Sequence, residues 1–297
     1  MHDIVIVGGG AAGLSAAIYA TRAMVDTLVI ERSSIGGNVS LIVDIENYLG
    51  FPHISGDELV RRFEEHASEI KVKIETDSVM SIKKDDNFVI KSPKNEYVAK
   101  KVIIATGMRP RKLGVMGEDE LLGRGVSYCA TCDGPLFAGG EVAVIGGGNS
   151  ALTEAIFLSN IASKVYIIHR RGKLRADPIY QKRAHEKQNI EFILNSVVHE
   201  IKGDKQVESM IISTNGVRKE LKVDGVFIYI GNVPNTEMVN CEKDNNGFIL
   251  TDENMMSSIE GMYAAGDCRA KHLRQITTAV CDGAIAGWHA ANSITQA

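Results

Sequence analysis

A chain of 297 residues, 44% hydrophobic and 24% charged with a formal net charge of −4, has room for two cored domains and offers no basic footprint for nucleic acid or an anionic membrane. No stretch reaches the roughly 18 apolar residues of a membrane-spanning helix, and Met1-His2-Asp3 opens without a basic leader or a cleavage signal. Five cysteines in this length do not make a secreted disulfide framework, so a cytoplasmic location is expected.

Asp3 to Val7 reads as a fully buried strand, and Gly8-Gly9-Gly10-Ala11-Ala12-Gly13 follows it directly. A small-residue helix is expected from about Leu14 to Met24, then a strand from Thr27 to Ile30 that ends at Glu31. Asn87 to Ile90 and Tyr97 to Ile104 read as further strands. The opening then recurs 138 residues on. Val142 to Ile145 leads into Gly146-Gly147-Gly148-Asn149-Ser150-Ala151, a helix runs to about Asn160, and the strand Val165 to Ile168 ends at His169. Ile190 to Leu194 and Val197 to Ile201 are strand-like. Val102 to Ala105 and Val226 to Ile230 are followed by Pro110 and Pro234, which mark candidate crossings between domains. Met262 to Ala265 is a last strand before Gly266-Asp267, and a helix from about Thr277 to Asn292 closes the chain. The expected layout is one domain built from both chain ends with a second inserted into it.

A glycine triplet alone is weak evidence. Here it lies between a strand and a helix, with Glu31 placed 23 positions after Gly8, and that context points to a dinucleotide. Gly8 allows the tight turn, Gly10 lets backbone approach a pyrophosphate, and Gly13 lets the helix pack on the strand. The free N–H groups of the helix start then face the phosphates, and Glu31 accepts from a ribose. The alternative is a tight turn without a ligand. In the second unit the position equivalent to Glu31 is His169, followed by Arg170 and Arg171, with Arg175 close behind. A ribose 2′-phosphate favours arginine where a free hydroxyl favours a carboxylate. The second unit therefore reads as an NADPH site rather than an NADH site, against the plain alternative of a solvated basic run.

Cys129-Ala130-Thr131-Cys132 is the chain's one close cysteine pair. A structural zinc site needs four ligands, and no second pair or paired histidines supply them, so no metal is expected. An inert disulfide does not suit the compartment. The spacing fits thiol–disulfide exchange. Asp133 follows directly, either as a proton-moving carboxyl or as a turn residue before Gly134-Pro135. Cys241 and Cys281 read as packing or surface residues; Cys268, after Gly266-Asp267, has no evident role.

Taken together these residues resemble the low-molecular-weight thioredoxin reductases over nearly the whole chain. The most specific piece is Gly125 to Gly134. Gly146 to Ala155, including Glu154, is similar to that family's NADPH loop. His169-Arg170-Arg171 with Arg175 resembles its 2′-phosphate clamp. Ala105-Thr106-Gly107 and Ala264-Ala265-Gly266-Asp267 resemble its flavoprotein signatures. Arg274-Gln275-Ile276 and Glu46-Asn47-Tyr48 resemble segments beside the flavin. Two departures are local: Asn38 stands where many relatives carry glutamine, and Gly172 where an acidic residue is frequent.

The resemblance implies an α/β fold of two Rossmann-like dinucleotide-binding domains, for FAD and NADPH, the second inserted into the first. The FAD domain would comprise 1–110 and 234–297, and the NADPH domain with the redox-active dithiol 111–233. FAD would lie on Gly8, Gly10, Ala11, Ala12, Gly13, Glu31 and Arg32, on Gly36, Gly37, Asn38 and Asn47, on Ala105, Thr106 and Gly107, and on Gly266, Asp267, Arg274, Gln275 and Ile276. NADPH would lie on Gly146, Gly148, Asn149, Ser150, Ala151, His169, Arg170, Arg171 and Arg175. Electrons would pass from NADPH to FAD to the Cys129–Cys132 disulfide, and then to thioredoxin or a thioredoxin-like protein. Cys132 would face the flavin, Cys129 would attack the partner, and Asp133 would handle protons. A homodimer is implied. A relative that takes electrons from ferredoxin would lack the arginine clamp, a ferredoxin–NADP reductase would lack the dithiol, and a non-catalytic flavin sensor would be separated by turnover.

Overall fold

The computed structural model describes residues 1–42 and 44–296; Ala297, the last residue of the expected FAD domain, lies outside them. The chain forms two units, Met1–Arg109 with Val233–Ala297, and Pro110–Asn232.

The first unit starts with β1 (His2–Val7), α1 (Ala11–Arg22) and β2 (Thr27–Glu31). Buried β-branched runs make β1 and β2 suited to a sheet covered on both faces, and the two pair in parallel. Next comes α2 (Gly56–Glu69), capped by Ser55, whose side chain accepts the Glu58 N–H, with Asp57 and Glu58 in its first turn where they complement the helix dipole. β3 (Lys73–Thr76), β4 (Ser81–Lys84), β5 (Phe88–Lys91) and β6 (Glu96–Ile104) follow. The sheet order is β3-β2-β1-β6-β5-β4. β3, β2, β1 and β6 are parallel, whereas β5 and β4 add antiparallel hairpins.

β7 (Met108–Pro110) leads into the second unit, which runs through β8 (Val126–Ser127), α3 (Ala130–Asp133), β9 (Glu141–Gly146), α4 (Asn149–Leu158), β10 (Lys164–Ile168) and α5 (Pro178–His185). After β11 (Ile190–Ile193) come β12 (Ser196–Lys202), β13 (Ser209–Thr214) and β14 (Val217–Lys222), an antiparallel three-stranded sheet, then β15 (Gly225–Tyr229). The main sheet here is parallel, in the order β11-β10-β9-β15-β8. Its apolar side chains enter one cluster beneath α4, including Val142, Val144, Val165, Ile167 and Phe227, and a second against the three-stranded sheet, including Val126, Val198, Met210 and Ile212.

β16 (Asn232–Pro234), which pairs with β7, returns the chain to the first unit. There β17 (Met262–Ala264) adds to β6 in parallel, and α6 (Ile276–Thr295) closes the fold. α6 lies close along α1: a Cβ at Gly287 would fall 2.3 Å from the Ala16 carbonyl oxygen. Small residues on both helices permit that approach and bury Ala12, Ala16, Ala286 and Ala290 in one core.

Candidate functional site

In the first unit, the turn from β1 to α1 opens onto a cavity of about 340 Å³. Gly8 has φ +109°, and a Cβ there would lie 2.4 Å from the Ala105 carbonyl oxygen; only glycine adopts that backbone without strain. Gly8, Gly10, Ala11 and Ala12 line the cavity, but Gly13 does not. Gly13 packs behind the turn, where a Cβ would come within 1.8 Å of the Gly8 carbonyl oxygen, so α1 can start only at that distance from β1. Glu31 is buried and fixed by backbone: Oε2 accepts the Gly9 N–H at 2.7 Å and Oε1 the Ser33 N–H at 3.0 Å. Arg32, Gly36, Gly37 and Asn38 border the same cavity, and Asn38 Nδ2 donates to the Met108 carbonyl at 3.0 Å.

Ala105, Thr106 and Gly107 also line it, as do Gly266, Asp267, Arg274, Gln275 and Ile276. Asn47 is not in the lining; its Nδ2 donates to Gln275 Oε1 at 3.1 Å. Asp267 Oδ1 and Arg274 Nε are buried and have no hydrogen-bond partner among the described residues. Burial pushes the Asp267 carboxyl up, opposed by Lys271 and Arg274. Asp267 Oδ1 has Lys271 Nζ at 3.6 Å as an ion-pair neighbour, but buried polar atoms without a hydrogen bond on a cavity wall call for a polar ligand. Asp77, Asn235 and Met238 also line the cavity. No local pattern marks them, because they arrive from loops far apart in sequence.

In the second unit, Cys129 and Cys132 are joined as a disulfide. Cys129 caps α3: its sulfur accepts the Cys132 N–H at 3.2 Å, and its own N–H goes to Ser127 Oγ at 3.0 Å. That hydroxyl donates to Asp133 Oδ2 at 2.6 Å. The Ala130 N–H donates to the Tyr229 phenol oxygen at 2.7 Å. Before the pair, Tyr128 Oη donates to Glu118 Oε1 at 2.6 Å, and the buried Glu118 also accepts the N–H groups of Leu113 and Gly114.

The second glycine turn joins β9 to α4, from Gly146 through Gly148 to Asn149, Ser150 and Ala151. Asn149 and Asp177 exchange two hydrogen bonds, at 2.8 and 2.7 Å. His169 occupies the place that Glu31 has in the first turn. A Cβ on Gly147 would lie 2.5 Å from its ring, as one on Gly9 would meet the Glu31 side chain. The ring is buried, its Nε2 has no partner among the described residues, and burial followed by the charge of Arg175, Arg171 and Arg170 lowers its pKa. The imidazole is therefore neutral at neutral pH. Arg170, Arg171 and Arg175 are exposed and make no ion pair among the described residues. The Arg175 N–H donates to the Gly147 carbonyl at 2.6 Å, which ties the arginine segment to the glycine turn. The site thus offers three free cations beside a tight backbone turn, chemistry suited to a phosphate monoester.

No helix among the described residues is long and apolar enough to cross a membrane. The chain matches the family model for pyridine nucleotide-disulphide oxidoreductases over residues 2–283. It is 43% identical to a thioredoxin reductase of Listeria monocytogenes, across all of this chain and 95% of the other. It is 45% identical to one of Treponema pallidum, across 99% and 97%. Among solved structures, the thioredoxin reductase of Lactococcus lactis superposes with a TM-score of 0.97 at 42% identity over the whole of both chains. That of T. acidophilum gives 0.93 at 40% identity, covering 100% of this chain and 99% of the other.

Proposed function

Because the chain belongs to the pyridine nucleotide-disulphide oxidoreductases, and among them to the thioredoxin reductases, we propose that it uses NADPH and a bound FAD to reduce Cys129–Cys132, which then reduces thioredoxin or a thioredoxin-like protein. The observation that carries this reading is the closed Cys129–Cys132 disulfide in the same unit as a glycine turn flanked by unpaired arginines. Met1–Arg109 with Val233–Ala297 is the FAD-binding domain in this reading, and Pro110–Asn232 the NADPH-binding domain. The protein works in the cytoplasm as a homodimer.

The first-unit cavity fits FAD. Gly8 and Gly10 bring bare backbone to a pyrophosphate, Glu31 holds a fixed carboxylate for ribose hydroxyls, and Asp267 Oδ1 and Arg274 Nε supply buried polar atoms that lack a hydrogen bond elsewhere in the lining. Gly36, Gly37, Asn38, Thr106 and Gln275 complete the enclosure, and Asn47 holds Gln275 from behind it. The second-unit turn fits NADPH, with Gly146, Gly148 and Asn149 to Ala151 at the pyrophosphate and Arg170, Arg171 and Arg175 at the 2′-phosphate. When bound, the two cofactors would supply the electron pair that opens the disulfide. Cys132 is the sulfur on the flavin side, Cys129 is the sulfur that attacks the partner, and Asp133 moves a proton while Ser127 fixes its carboxylate.

The purified, flavin-loaded protein should consume NADPH when a disulfide dye or a cognate thioredoxin is present. Cys129→Ser should leave reduction of the flavin by NADPH intact and abolish thioredoxin reduction. A flavin-loaded protein that oxidises no NADPH with any thioredoxin or dye would overturn the reading.

A further inference from the structure

Backbone hydrogen bonds hold the dithiol turn. The Cys129 N–H goes to Ser127 Oγ at 3.0 Å, the Ala130 N–H to the Tyr229 phenol oxygen at 2.7 Å, the Cys132 N–H to the Cys129 sulfur at 3.2 Å and the Asp133 N–H to the Cys129 carbonyl at 3.1 Å. Of these acceptors only the phenol comes from outside the segment 127–133. An inner strand of the sheet delivers it. β15 lies between β9 and β8, with Phe227 paired to Ser127 and Tyr229 paired to Gly146. Two residues on from the Phe227–Ser127 pair, the same register sets Tyr229 beside the turn into α3. Its main chain is fixed from the β9 side, where a Cβ on Gly146 would fall 2.3 Å from the Tyr229 carbonyl oxygen. Its side chain packs against the cluster that contains Ala130, Ala151, Ala155 and Phe227. The phenol oxygen therefore has little freedom, and a strand that carries no sulfur sets the position of the Ala130 N–H.

We infer that Tyr229 is a positioning residue for the Cys129–Cys132 centre: its phenol keeps Ala130 in place when the disulfide opens, so the two sulfurs stay poised to close again and the dithiol is the more reducing for it. The inference rests on the proposed function for the source and destination of the electrons. While the S–S bond is closed it restrains Ala130 by itself, because Ala130 is one of the two residues it spans. Two electrons and two protons open that bond into two thiols. The phenol is then the restraint on Ala130 that reaches it from outside the turn. Removing the phenol oxygen acts unequally on the two forms. The closed form keeps its shape but holds an N–H without a partner at fully buried Ala130, which costs free energy. The open form can turn that N–H to water and gains chain freedom. Both changes favour the dithiol and so raise its reduction potential. With the phenol in place the couple lies lower, which drives transfer to a partner disulfide.

The test is the equilibrium of the flavin-loaded protein with mixtures of reduced and oxidised dithiothreitol at neutral pH, quenched by alkylation, with Cys129 and Cys132 read by peptide mass spectrometry. Each dithiothreitol that closes its own ring gives the two electrons and two protons that split the S–S bond. Tyr229→Phe keeps the ring and deletes only the oxygen. It should shift the equilibrium toward the dithiol by about two- to tenfold, which is about 10–30 mV. Tyr180→Phe removes a phenol that packs against the same cluster without a hydrogen bond to the dithiol turn among the described residues, and should leave the equilibrium where it is. An unmoved Tyr229→Phe equilibrium, a shift toward the disulfide, or equal shifts in both variants overturns the inference. A second measurement needs no variant: in the native protein the Ala130 amide should exchange its hydrogen slowly both before and after reduction with dithiothreitol, and loss of that protection on reduction overturns the inference as well. Neither measurement uses NADPH or thioredoxin. Absence of NADPH consumption by the native protein would therefore sink the proposed function while leaving both readable.

Discussion

Replacing Lys271 by methionine tests how the wall of the first-unit cavity is held. The Lys271 side chain is 8% exposed and that of Asp282 9%, with Nζ 2.9 Å from Asp282 Oδ2. Lys271 also lies 3.6 Å from Asp267 Oδ1, and Arg269 reaches the other oxygen of Asp282 at 3.3 Å. Asp282 Oδ2 accepts the Gly266 N–H at 3.1 Å, so one carboxylate ties α6 to the turn that carries Asp267. Methionine keeps the apolar stem and deletes the charge. Removing one partner of a buried pair costs about 3–5 kcal/mol. Arg269 stays in place, which puts the expectation at the low end, about 3 kcal/mol. Trp288, the chain's one tryptophan, sits on α6 in the same unit, so its fluorescence in urea follows this unit's unfolding. At a slope of about 2–3 kcal/mol/M the midpoint should fall by about 1–1.5 M. Lys73→Met serves as the control, since Lys73 pairs with Asp26 at 2.6 Å but is mostly exposed; exposed pairs contribute about 0–1 kcal/mol. A Lys271→Met midpoint no lower than that of the control would refute the buried-network argument.

Gly13→Ala should yield a protein that purifies without flavin and unfolds earlier by Trp288 fluorescence, because the new Cβ meets the Gly8 carbonyl oxygen at 1.8 Å; a variant with the native yellow colour would contradict this. Asp77 accepts from Ser92 and from the Ser78 N–H, Asn95 and Tyr97, and these hydrogen bonds hold its carboxyl down to about 2. A depressed folded pKa stabilises above the unfolded value of about 3.9, and that contribution is lost as pH falls. The urea-midpoint gap between the native protein and Asp77→Asn should therefore close between about pH 4 and about 2, and a gap constant with pH would count against it. Neutral replacements at Arg170 and Arg171 should erase an NADPH preference of at least about tenfold over NADH, since one charge-assisted contact is worth roughly 1.5–3 kcal/mol. Equal kinetics with both cofactors in the native protein would remove the clamp.

Much of the fold was legible because parallel strands buried on both faces read as apolar runs. Thr27–Glu31 and Lys164–Ile168 lie within a residue of their expected bounds. The closing helix, expected from Thr277 to Asn292, spans Ile276–Thr295. α2 escaped notice because it is largely polar and buries only Gly56, Leu59, Val60 and Ala67. β14 is almost wholly exposed, so Val217–Lys222 shows no inward-facing register, and its pairing with β13 defines it. Two-residue β8 is set by its partner β15 rather than by its own sequence. At the cavity, the glycine turns announced themselves by spacing, whereas Asp77 and Asn235 are brought there by the chain's path. The Arg269–Asp282–Lys271 network was equally hidden, since its members look like ordinary surface charges until α6 packs. Cys268, without an evident role in the sequence, is fully buried, and its thiol donates toward the Ile104 and Ala265 carbonyls at 3.3 Å each. Burial pushes that thiol up to about 11, so it is a packing group rather than a reactive one.

The pairing of β17 with β6, and of α6 with α1, has a consequence for biosynthesis. Pro110–Asn232 is continuous in sequence and can close its own sheet as soon as it clears the ribosome. The N-terminal segment emerges first yet waits for Met262–Ala264 and Ile276–Thr295, which at roughly 5–20 residues per second arrive many seconds later. Until then α1 shows its alanine face to solvent and the cavity lacks its Gly266-to-Ile276 wall. The unit translated first is the one finished last, and the Gly266-to-Ile276 part of its cavity lining forms only after the C-terminal segment has been made.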